Sequence, residues 1–299
     1  MRFGLLGTGH WAAETQGAAL DAHPEAELAG IWGRDPAKAR VLADRYGTRA
    51  YDRADDLIAD VDAVAVALPP DIQSELALRA ARAGRHLLLD KPLAFTSEDA
   101  DRVARAAEER AVASVVFFTR RFAPPVEDFL TRAAAAGGWD GGRATAFASI
   151  FRPGNPYGGS PWRRERGGLW DVGPHALSVL LPVLGPVAEV TAVDGPRGAA
   201  HVLLRHRSGA VGTLALTLDA RPAAVSHTCD FYGEQGVAAV PESGITAVEA
   251  FGAAVDRLLR GARTGTADPC DVRFGREVVA ILEAADTSRR TGRTVVPLF

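Results

Sequence analysis

Apolar and polar positions alternate along the first 120 residues in the pattern of short buried strands separated by amphipathic helices. The pattern predicts strands over residues 2–6, 27–32, 62–68, 86–89 and 112–118. Helices are predicted over 11–22, 36–46, 71–83 and 97–110. The 62–68 segment is a nearly continuous Val/Ala/Leu run, which is typical of a parallel strand buried on both faces. We therefore predict an α/β fold whose domain over residues 1–120 is a doubly wound parallel sheet, the Rossmann arrangement.

The pattern changes after residue 120. Strands are predicted over 143–151, 189–193, 199–206, 209–218 and 227–233, joined by turns such as Gly-Glu-Gln-Gly at 233–236, with few helices between them. Helical patterns remain over 246–260 and 273–290. Residues 121–299 are therefore predicted to form a second, α+β domain with a largely antiparallel sheet.

Composition excludes several classes of partner. The net charge is −3, and no Lys/Arg stripe interleaves with aromatic residues, so neither nucleic acid nor a membrane surface is expected. No stretch approaches the roughly 18 apolar residues of a membrane span, and the apolar N-terminal stretch is too short for a signal peptide, which predicts a cytoplasmic protein. Cys229 and Cys270 lack a C-x-x-C partner, and His201 and His206 lack a third ligand, so no disulfide or metal site is expected.

A glycine-rich segment, Gly-Thr-Gly-His-Trp-Ala, follows the first predicted strand and opens the first predicted helix. The first glycine permits a tight turn, and the second lets the backbone approach a pyrophosphate. Ala12 permits close packing of helix on strand, while the helix N-terminus offers N–H groups to phosphate oxygens. The predicted cofactor-binding residues here are Gly7, Thr8, Gly9, His10 and Trp11.

The end of the second strand bears on which cofactor binds. Sites specific for NAD usually place a carboxylate there for the adenosine ribose, but this sequence has Gly33 followed by Arg34. A guanidinium suits a 2′-phosphate, although a single arginine near a loop is also an ordinary surface charge. Asp35 is better explained as a helix N-cap before Pro36. We favour NADP and leave NAD open.

Two sets of residues could carry catalysis. Lys91 follows the strand at 86–89, at the edge where doubly wound folds bind ligands, and it could hydrogen-bond a reacting oxygen; alternatively it is a surface lysine. Asp171 and His175 are four residues apart and would share a face if a helix begins near Asp171. The histidine could then take a hydroxyl proton with the carboxylate orienting it, or the pair could be an N-cap and a packed histidine.

In combination these motifs resemble the Gfo/Idh/MocA oxidoreductases, the glucose-fructose oxidoreductase and inositol dehydrogenase family. The resemblance covers nearly the whole chain and rests on G-x-G-x-x-A, Lys-Pro after the fifth strand and G-G-x-x-x-D-x-G-x-H. It implies that Lys91 lies close to nicotinamide and substrate, that His175 is the acid/base and that Asp171 is its partner. It further implies a cis peptide before Pro92 and a homodimer, or dimer of dimers, formed through the open face of the second sheet. The implied additional cofactor contacts are Leu68, Pro69, Trp162 and Arg163.

This sequence departs from the family pattern at three positions. Asp90 replaces a usual glutamate, Gln73 stands where many members have histidine, and Ser178 stands where an aspartate often follows the histidine. We interpret positions 73 and 178 as lying at the rim of the pocket, which weakens the assignment of a substrate. Candidate substrate contacts are Arg120, Asn155 and Tyr157, the last two in a Gly/Pro-rich loop.

The preferred function is therefore hydride transfer between NAD(P) and a hydroxyl or carbonyl carbon of a small molecule, a sugar or polyol. Two alternatives remain open at this point. One is a glycosidase of the same fold that uses transient oxidation by a bound nicotinamide. The other is a sensor that binds the dinucleotide without turnover.

Overall fold

The computed structural model describes residues 1–234 and 236–299, which form two compact units. The first unit comprises Met1–Ala123 with Ile245–Arg276, and the second comprises Pro124–Gly244 with Glu277–Phe299. The division into functional domains at 1–120 and 121–299 stays a prediction, and it differs from the compact units over residues 245–276. The predicted turn at 233–236 contains Gln235, which lies outside the described residues.

The first unit is built on a sheet of six parallel strands in the order β3-β2-β1-β4-β5-β6. The strands are β1 (Arg2–Leu6), β2 (Glu27–Trp32), β3 (Arg49–Tyr51), β4 (Ala63–Val66), β5 (His86–Asp90) and β6 (Ser114–Phe117). The order reverses between β1 and β4, so ligands are expected outside the carboxyl ends of these strands. The predicted doubly wound sheet is confirmed, although the three-residue β3 was not predicted.

Helices cover this sheet and begin at its carboxyl edge. After β1 the chain forms a π-helical segment, Ala12–Gly17, that continues into α1 (Ala18–Ala22). The others are α2 (Pro36–Arg45), α3 (Ala54–Asp60), α4 (Pro70–Arg82) and α5 (Ser97–Glu109), with a 3-10 turn at Thr119–Phe122 after β6. The predicted helix over 11–22 is present, but Tyr46 donates a hydrogen bond to the Ala13 carbonyl where the helix widens.

A helix from late in the chain completes the first unit. This helix, α9 (Ala247–Thr264), packs against β5 and β6. His23 contacts the Asp256 carboxylate at 3.1 Å, and Glu25 is ion-paired with Arg263. The buried face of α9 explains why 245–276 belongs to this unit although it follows the second sheet in sequence.

The second unit is built on a mixed sheet in the order β12-β11-β7-β10-β9-β8. Its strands are β7 (Trp139–Phe147), β8 (Val187–Gly195), β9 (Ala199–His206), β10 (Val211–Thr217), β11 (Ser226–Gly233) and β12 (Gly236–Ala239). Only the β7–β10 pair is parallel among the described strands of this sheet. The predicted, largely antiparallel sheet is thus confirmed.

Three helices complete the second unit together with the C-terminal part of α10 (Val272–Thr291). They are α6 (Pro124–Ala136), α7 (Pro161–Asp171) and α8 (Gly173–Leu184). Helix α6 precedes the first strand of this sheet and was not predicted, although its buried Val126, Leu130 and Ala133 have helical spacing. Among the described residues, no helix is both long and apolar enough to cross a membrane.

A buried histidine makes the stability of the second unit sensitive to acid. His206 is 2% exposed, its Nδ1 lies 2.7 Å from the Gly185 carbonyl oxygen, and its Nε2 has no hydrogen-bond partner among the described residues. Burial lowers the pKa of His206 below its ordinary value of 6.5. The unfolded chain therefore binds more protons than the folded chain in the range just below pH 6.5.

We expect stability to be greatest above pH 6.5 and to fall as the pH drops below it, with at most about 1.4 kcal/mol per pH unit from one histidine. His206→Asn retains an N–H donor for Gly185 and removes the titrating ring, so its free energy of unfolding should depend less steeply on pH. Urea unfolding between pH 5 and 8 measures the slope. A slope equal to that of the wild type would contradict the assignment.

Candidate active site

The glycine turn after β1 has the shape of a dinucleotide cradle. Gly7 has a φ of +142°, and a Cβ there would lie 2.6 Å from the Ala67 carbonyl oxygen at the end of β4. Gly9 faces open space, since no atom lies within 4 Å of the Cβ it lacks. His10 is exposed and Trp11 partly buried at the start of the helix. The turn is thus closed on the protein side and open toward a ligand.

The end of β2 is packed against the same turn. A Cβ on Gly33 would lie 2.5 Å from the Thr8 Cγ2 and 3.3 Å from the Thr8 Cβ. Arg34 is exposed beside it. The Asp35 carboxylate accepts hydrogen bonds from the backbone N–H of Ala37 and of Lys38. Asp35 is therefore the N-cap of α2, as predicted, and Thr8 fills the space in which a side chain at position 33 would stand.

Leu68 and Pro69 lie between the end of β4 and the start of α4, and both are partly buried. Since β4 is the neighbour of β1, these residues are at the same edge of the sheet as the glycine turn. Their predicted contact with a cofactor stays a prediction, and their placement is compatible with it.

Lys91 directly follows β5 at this edge and is partly buried. Its peptide bond to Pro92 is cis, as the resemblance implies. The sequence contains lysine at positions 38 and 91 and nowhere else, so every other strongly basic side chain is arginine. A lysine differs from an arginine in carrying a compact ammonium group on a flexible stem.

Gln73 is not at a pocket rim. It is 0% exposed on α4, and its side chain hydrogen-bonds the backbone around Lys91 at distances of 2.7 to 3.3 Å. Ser178 is also 0% exposed, and its hydroxyl donates to the His175 carbonyl at 2.8 Å. The interpretation of both positions as pocket rim was wrong, because both side chains satisfy backbone groups inside the protein.

The two arginines after β6 have different environments. Arg120 is partly buried in the 3-10 turn, whereas Arg121 is 3% exposed with its guanidinium 5.8 Å from the centre of the Phe274 ring. Arg257 of α9 donates a hydrogen bond to the Arg121 carbonyl at 3.0 Å. Of these two arginines, Arg120 therefore remains a candidate for contact with a substrate.

In the second unit, Asp171 and His175 do not share one helix. Asp171 is the last residue of α7 and His175 lies in the first turn of α8. Pro174 is at the start of α8, and proline lacks the N–H needed to continue the hydrogen bonding of α7. The condition that one helix begins near Asp171 is therefore not met, and the two residues flank a short break instead.

Arg163 contacts several of the predicted site residues. Its Nε is 3.1 Å from Oδ1 of Asp171, and the two side chains are 21% and 11% exposed. Its guanidinium lies 4.5 Å from the ring centre of Trp162 and 5.1 Å from that of Tyr157. Asn155 accepts a hydrogen bond from the Tyr157 backbone N–H at 2.9 Å. The loop before α7 and the Asp171 carboxylate thus form one connected cluster, which the sequence did not predict.

The glycine pair in α7 allows this cluster to form. Gly167 has a φ of +65°, which breaks the helix, and a Cβ on Gly168 would lie 2.8 Å from the backbone of Thr217 in β10.

Among the described residues, no group of three or more histidine, cysteine, aspartate or glutamate side chains is arranged to hold a metal ion.

Comparison with known proteins gives consistent matches over both units. A model described as "Oxidoreductase family, NAD-binding Rossmann fold" matches residues 1–118, and one described as "GFO/IDH/MocA C-terminal domain" matches residues 140–239. The dTDP-3,4-didehydro-2,6-dideoxy-alpha-D-glucose 3-reductase of Streptomyces antibioticus is 29% identical over 233 residues, which cover 73% of this chain and 70% of that protein.

Two further similarities are to a dehydrogenase named for NADP and to a structure solved with NAD. The D-xylose 1-dehydrogenase (NADP(+)) 2 of Haloferax volcanii is 32% identical over 199 residues, which cover 64% of this chain and 60% of that protein. GenD2 from gentamicin A biosynthesis, solved in complex with NAD, has a TM-score of 0.87 at 23% identity and covers 100% of this chain and 97% of its own. At that identity the second similarity concerns the fold alone.

Proposed function

This chain belongs to the Gfo/Idh/MocA family of oxidoreductases, and we propose that it moves a hydride between a bound nicotinamide cofactor and a hydroxyl or carbonyl carbon of a sugar or polyol. The observation that carries the proposal is the position of Lys91. It follows β5, which is separated only by β4 from the strand that leads into the glycine turn. Two strand spacings are about 10 Å, so a dinucleotide whose pyrophosphate binds the turn can extend toward the lysine.

The residues of the first unit fit a dinucleotide. The closed side of the turn at Gly7, the open space at Gly9 and the helix that begins there are suited to a pyrophosphate. The contacts that would hold the cofactor are Gly7, Thr8, Gly9, His10, Trp11, Gly33, Arg34, Leu68, Pro69, Lys91, Trp162 and Arg163. When bound, the nicotinamide supplies or accepts the hydride.

The protein residues handle the proton and the charge. His175 removes the proton from the substrate hydroxyl during oxidation and returns it during reduction. Lys91 donates a hydrogen bond to the same oxygen and offsets its developing negative charge. Asp171 is the polar partner of His175 in the pocket, and it is also ion-paired with Arg163. Arg120, Asn155 and Tyr157 are the residues we propose for recognition of the rest of the substrate.

We infer a preference for NADP over NAD. The packing of Thr8 against Gly33 leaves no room for the carboxylate that would accept hydrogen bonds from the ribose, and Arg34 is exposed beside that position. A guanidinium there suits the 2′-phosphate of NADP. The name of the Haloferax volcanii relative includes NADP, which supports the same choice.

The names of the relatives support a carbohydrate substrate, since one is a reductase of a nucleotide-linked deoxysugar and another a xylose dehydrogenase. The test is a fluorescence titration with NADH and NADPH, followed by a screen at 340 nm against sugars, inositols and their keto forms. Turnover identifies the dehydrogenase. Free sugar released without net redox change identifies a glycosidase, binding without turnover a sensor, and no binding contradicts the proposal. A cytoplasmic location stays a prediction.

We also infer that a second copy of the chain covers the open face of the second sheet. Side chains on this face alternate with the buried ones, and three of its apolar residues are strongly exposed: Val193 at 58%, Leu203 at 45% and Val237 at 68%. The register places Leu203 opposite Thr191 and Thr213, in the interior of the sheet. Val193 and Leu203 lie on the neighbouring strands β8 and β9, and adjacent exposed apolar side chains on one face suit association with a second copy.

Leu203→Asp should therefore lower the association state to the monomer, because it places a charge within the apolar part of the paired faces. Sedimentation velocity measures the mass. The control is Val41→Asp, a substitution of a 71% exposed valine on α2 that should leave association unchanged. A wild-type protein that is monomeric at micromolar concentration would contradict the inferred dimer or dimer of dimers.

A further inference from the structure

We propose that Gln73 is a positioning residue for Lys91, because its carboxamide holds the backbone on both sides of the lysine and so sets where the ammonium group stands. The proposal rests on the function proposed above for Lys91. Gln73 is fully buried on α4, so its side chain does not itself contact a substrate.

Four hydrogen bonds carry the proposal. Oε1 of Gln73 accepts from the Asp90 backbone N–H at 2.8 Å, and Nε2 lies 2.7 Å from the Asp90 carbonyl oxygen. Nε2 also lies 3.0 Å from the carbonyl oxygen of Pro92 and 3.3 Å from that of Leu93. One side chain thus forms hydrogen bonds with the backbone of the residue before Lys91 and of the two residues after it.

The backbone N–H of Lys91 itself is also hydrogen-bonded to a side chain. The Lys91 N–H donates to Oδ1 of Asp90 at 2.8 Å. The Asp90 carboxylate therefore holds the lysine peptide from one side while Gln73 holds its neighbours. This gives aspartate a defined task at the position where the family usually has glutamate.

Only a carboxamide of this length meets the demands of the site. The Asp90 N–H meets the one acceptor of glutamine, and the NH₂ group, with two N–H donors, is shared among the three carbonyl oxygens. A carboxylate at position 73 would direct negative charge toward those three oxygens. An aliphatic side chain would remove these four hydrogen bonds from the protein interior.

The consequence for Lys91 is geometric. The Cα is the fixed end of the lysine side chain, so a shift of the backbone at Lys91 moves the whole range of positions that its ammonium group can reach. Displacement of a catalytic group by about 1 Å can lower the rate by about 100-fold. Gln73 therefore acts on the reaction through the lysine rather than through cofactor or substrate directly.

The test is a double-mutant cycle between Gln73→Met and Lys91→Ala. We expect Gln73→Met to lower kcat by about 10- to 100-fold. The Kd for the reduced cofactor should stay within about threefold, because the glycine turn is unaffected. In the Lys91→Ala background, adding Gln73→Met should lower kcat no further. Additive losses would show that Gln73 acts independently of the lysine and would overturn the positioning role.

Two further measurements separate positioning from a loss of folding. His86→Leu removes the hydrogen bond that His86 Nδ1 accepts from the Ala113 N–H at the opposite end of β5, at 3.0 Å. It should lower the unfolding midpoint and leave kcat unchanged. If Gln73→Met does not fold, Gln73→Asn retains the carboxamide on a shorter stem and serves in the same cycle.

Hydrogen exchange provides a readout that does not depend on activity. The amide of Asp90 should exchange faster in the Gln73 variants than in the wild type, and unchanged exchange would overturn the proposal. If Lys91→Ala itself leaves kcat unchanged, the function proposed for Lys91 fails and the positioning role fails with it. If Lys91→Ala abolishes turnover while Gln73→Met does not lower kcat, only the positioning role fails.

Discussion

Lys91→Ala is expected to lower kcat by about 100- to 1,000-fold, the usual effect of removing one preorganised donor from a developing oxyanion. The Kd for the reduced cofactor should change little, because the pyrophosphate cradle at Gly7 and Gly9 lies two strands away. Loss of kcat without loss of cofactor binding indicates an interaction made mainly in the transition state. Steady-state kinetics and fluorescence titration measure the two effects separately.

The chain offers a matched control for this substitution. Lys38 is the other lysine, it is exposed on α2, and its backbone N–H is capped by Asp35 while its side chain points to solvent. Lys38→Ala should leave kcat and KM unchanged. Equal losses in the two variants, or a Lys91→Ala variant with the kcat of the wild type, would contradict a catalytic role for Lys91.

The scarcity of lysine allows a direct observation of the same group. In a Lys38→Arg variant, Lys91 carries the only lysine ammonium, so reductive methylation with ¹³C-formaldehyde gives one lysine signal besides that of the N-terminal amine. We expect bound cofactor to slow the methylation of Lys91 and to move its signal. A methylation rate and a signal position that do not change when cofactor is added would indicate that Lys91 lies outside the site.

The fold of the first unit could be predicted because its signals are local. Residues 2–6 and 27–32 were predicted as strands with the bounds that the structure has, since each is an apolar run closed by turn residues. The three-residue β3 carries no measurable period and was missed. The assignment of α9 to this unit depends on contacts such as His23 with Asp256, 233 residues apart, which no local pattern contains.

In the candidate site, too, local sequence signals could be recognised, whereas contacts between residues distant in sequence could not. The glycine turn and Lys91 could be proposed from sequence because the chemistry requires small residues, or a cation, directly after a strand. The task of Gln73 was missed because its partners lie 17 to 20 residues later, and the chain must fold before they meet. Similarly, the pairing of Arg163 with Asp171 depends on the break at Gly167 inside α7.

Packing between Thr8 and Gly33 predicts how the cofactor preference can be changed. A Cβ at position 33 would lie 2.5, 3.0 and 3.3 Å from Cγ2, Oγ1 and Cβ of Thr8. Rotation of the threonine about χ1 moves Cγ2 and Oγ1 but leaves its Cβ at 3.3 Å, and the branched side chain has few rotamers, so the turn must still shift to admit a side chain at position 33. An acid at position 33 therefore requires a smaller residue at position 8 before it can reach the ribose.

Gly33→Asp alone is accordingly expected to weaken the binding of both NADH and NADPH, since the turn must distort to accommodate it. The Thr8→Gly/Gly33→Asp variant should bind NADH and reject NADPH, because the carboxylate accepts from the ribose hydroxyls and repels the 2′-phosphate. Hydrogen bonds to charged groups contribute about 1.5–3 kcal/mol, so the ratio of the two dissociation constants should shift by about 10- to 150-fold toward NADH.

Fluorescence titration of the wild type, both single variants and the double variant measures the four pairs of dissociation constants. Thr8→Gly alone is the control, and it should retain the preference of the wild type because Arg34 is unchanged. The decisive quantity is the coupling between the two positions. If Gly33→Asp alone binds NADH as tightly as the double variant, the two substitutions are independent, and contact between Thr8 and position 33 does not determine which cofactor this protein accepts.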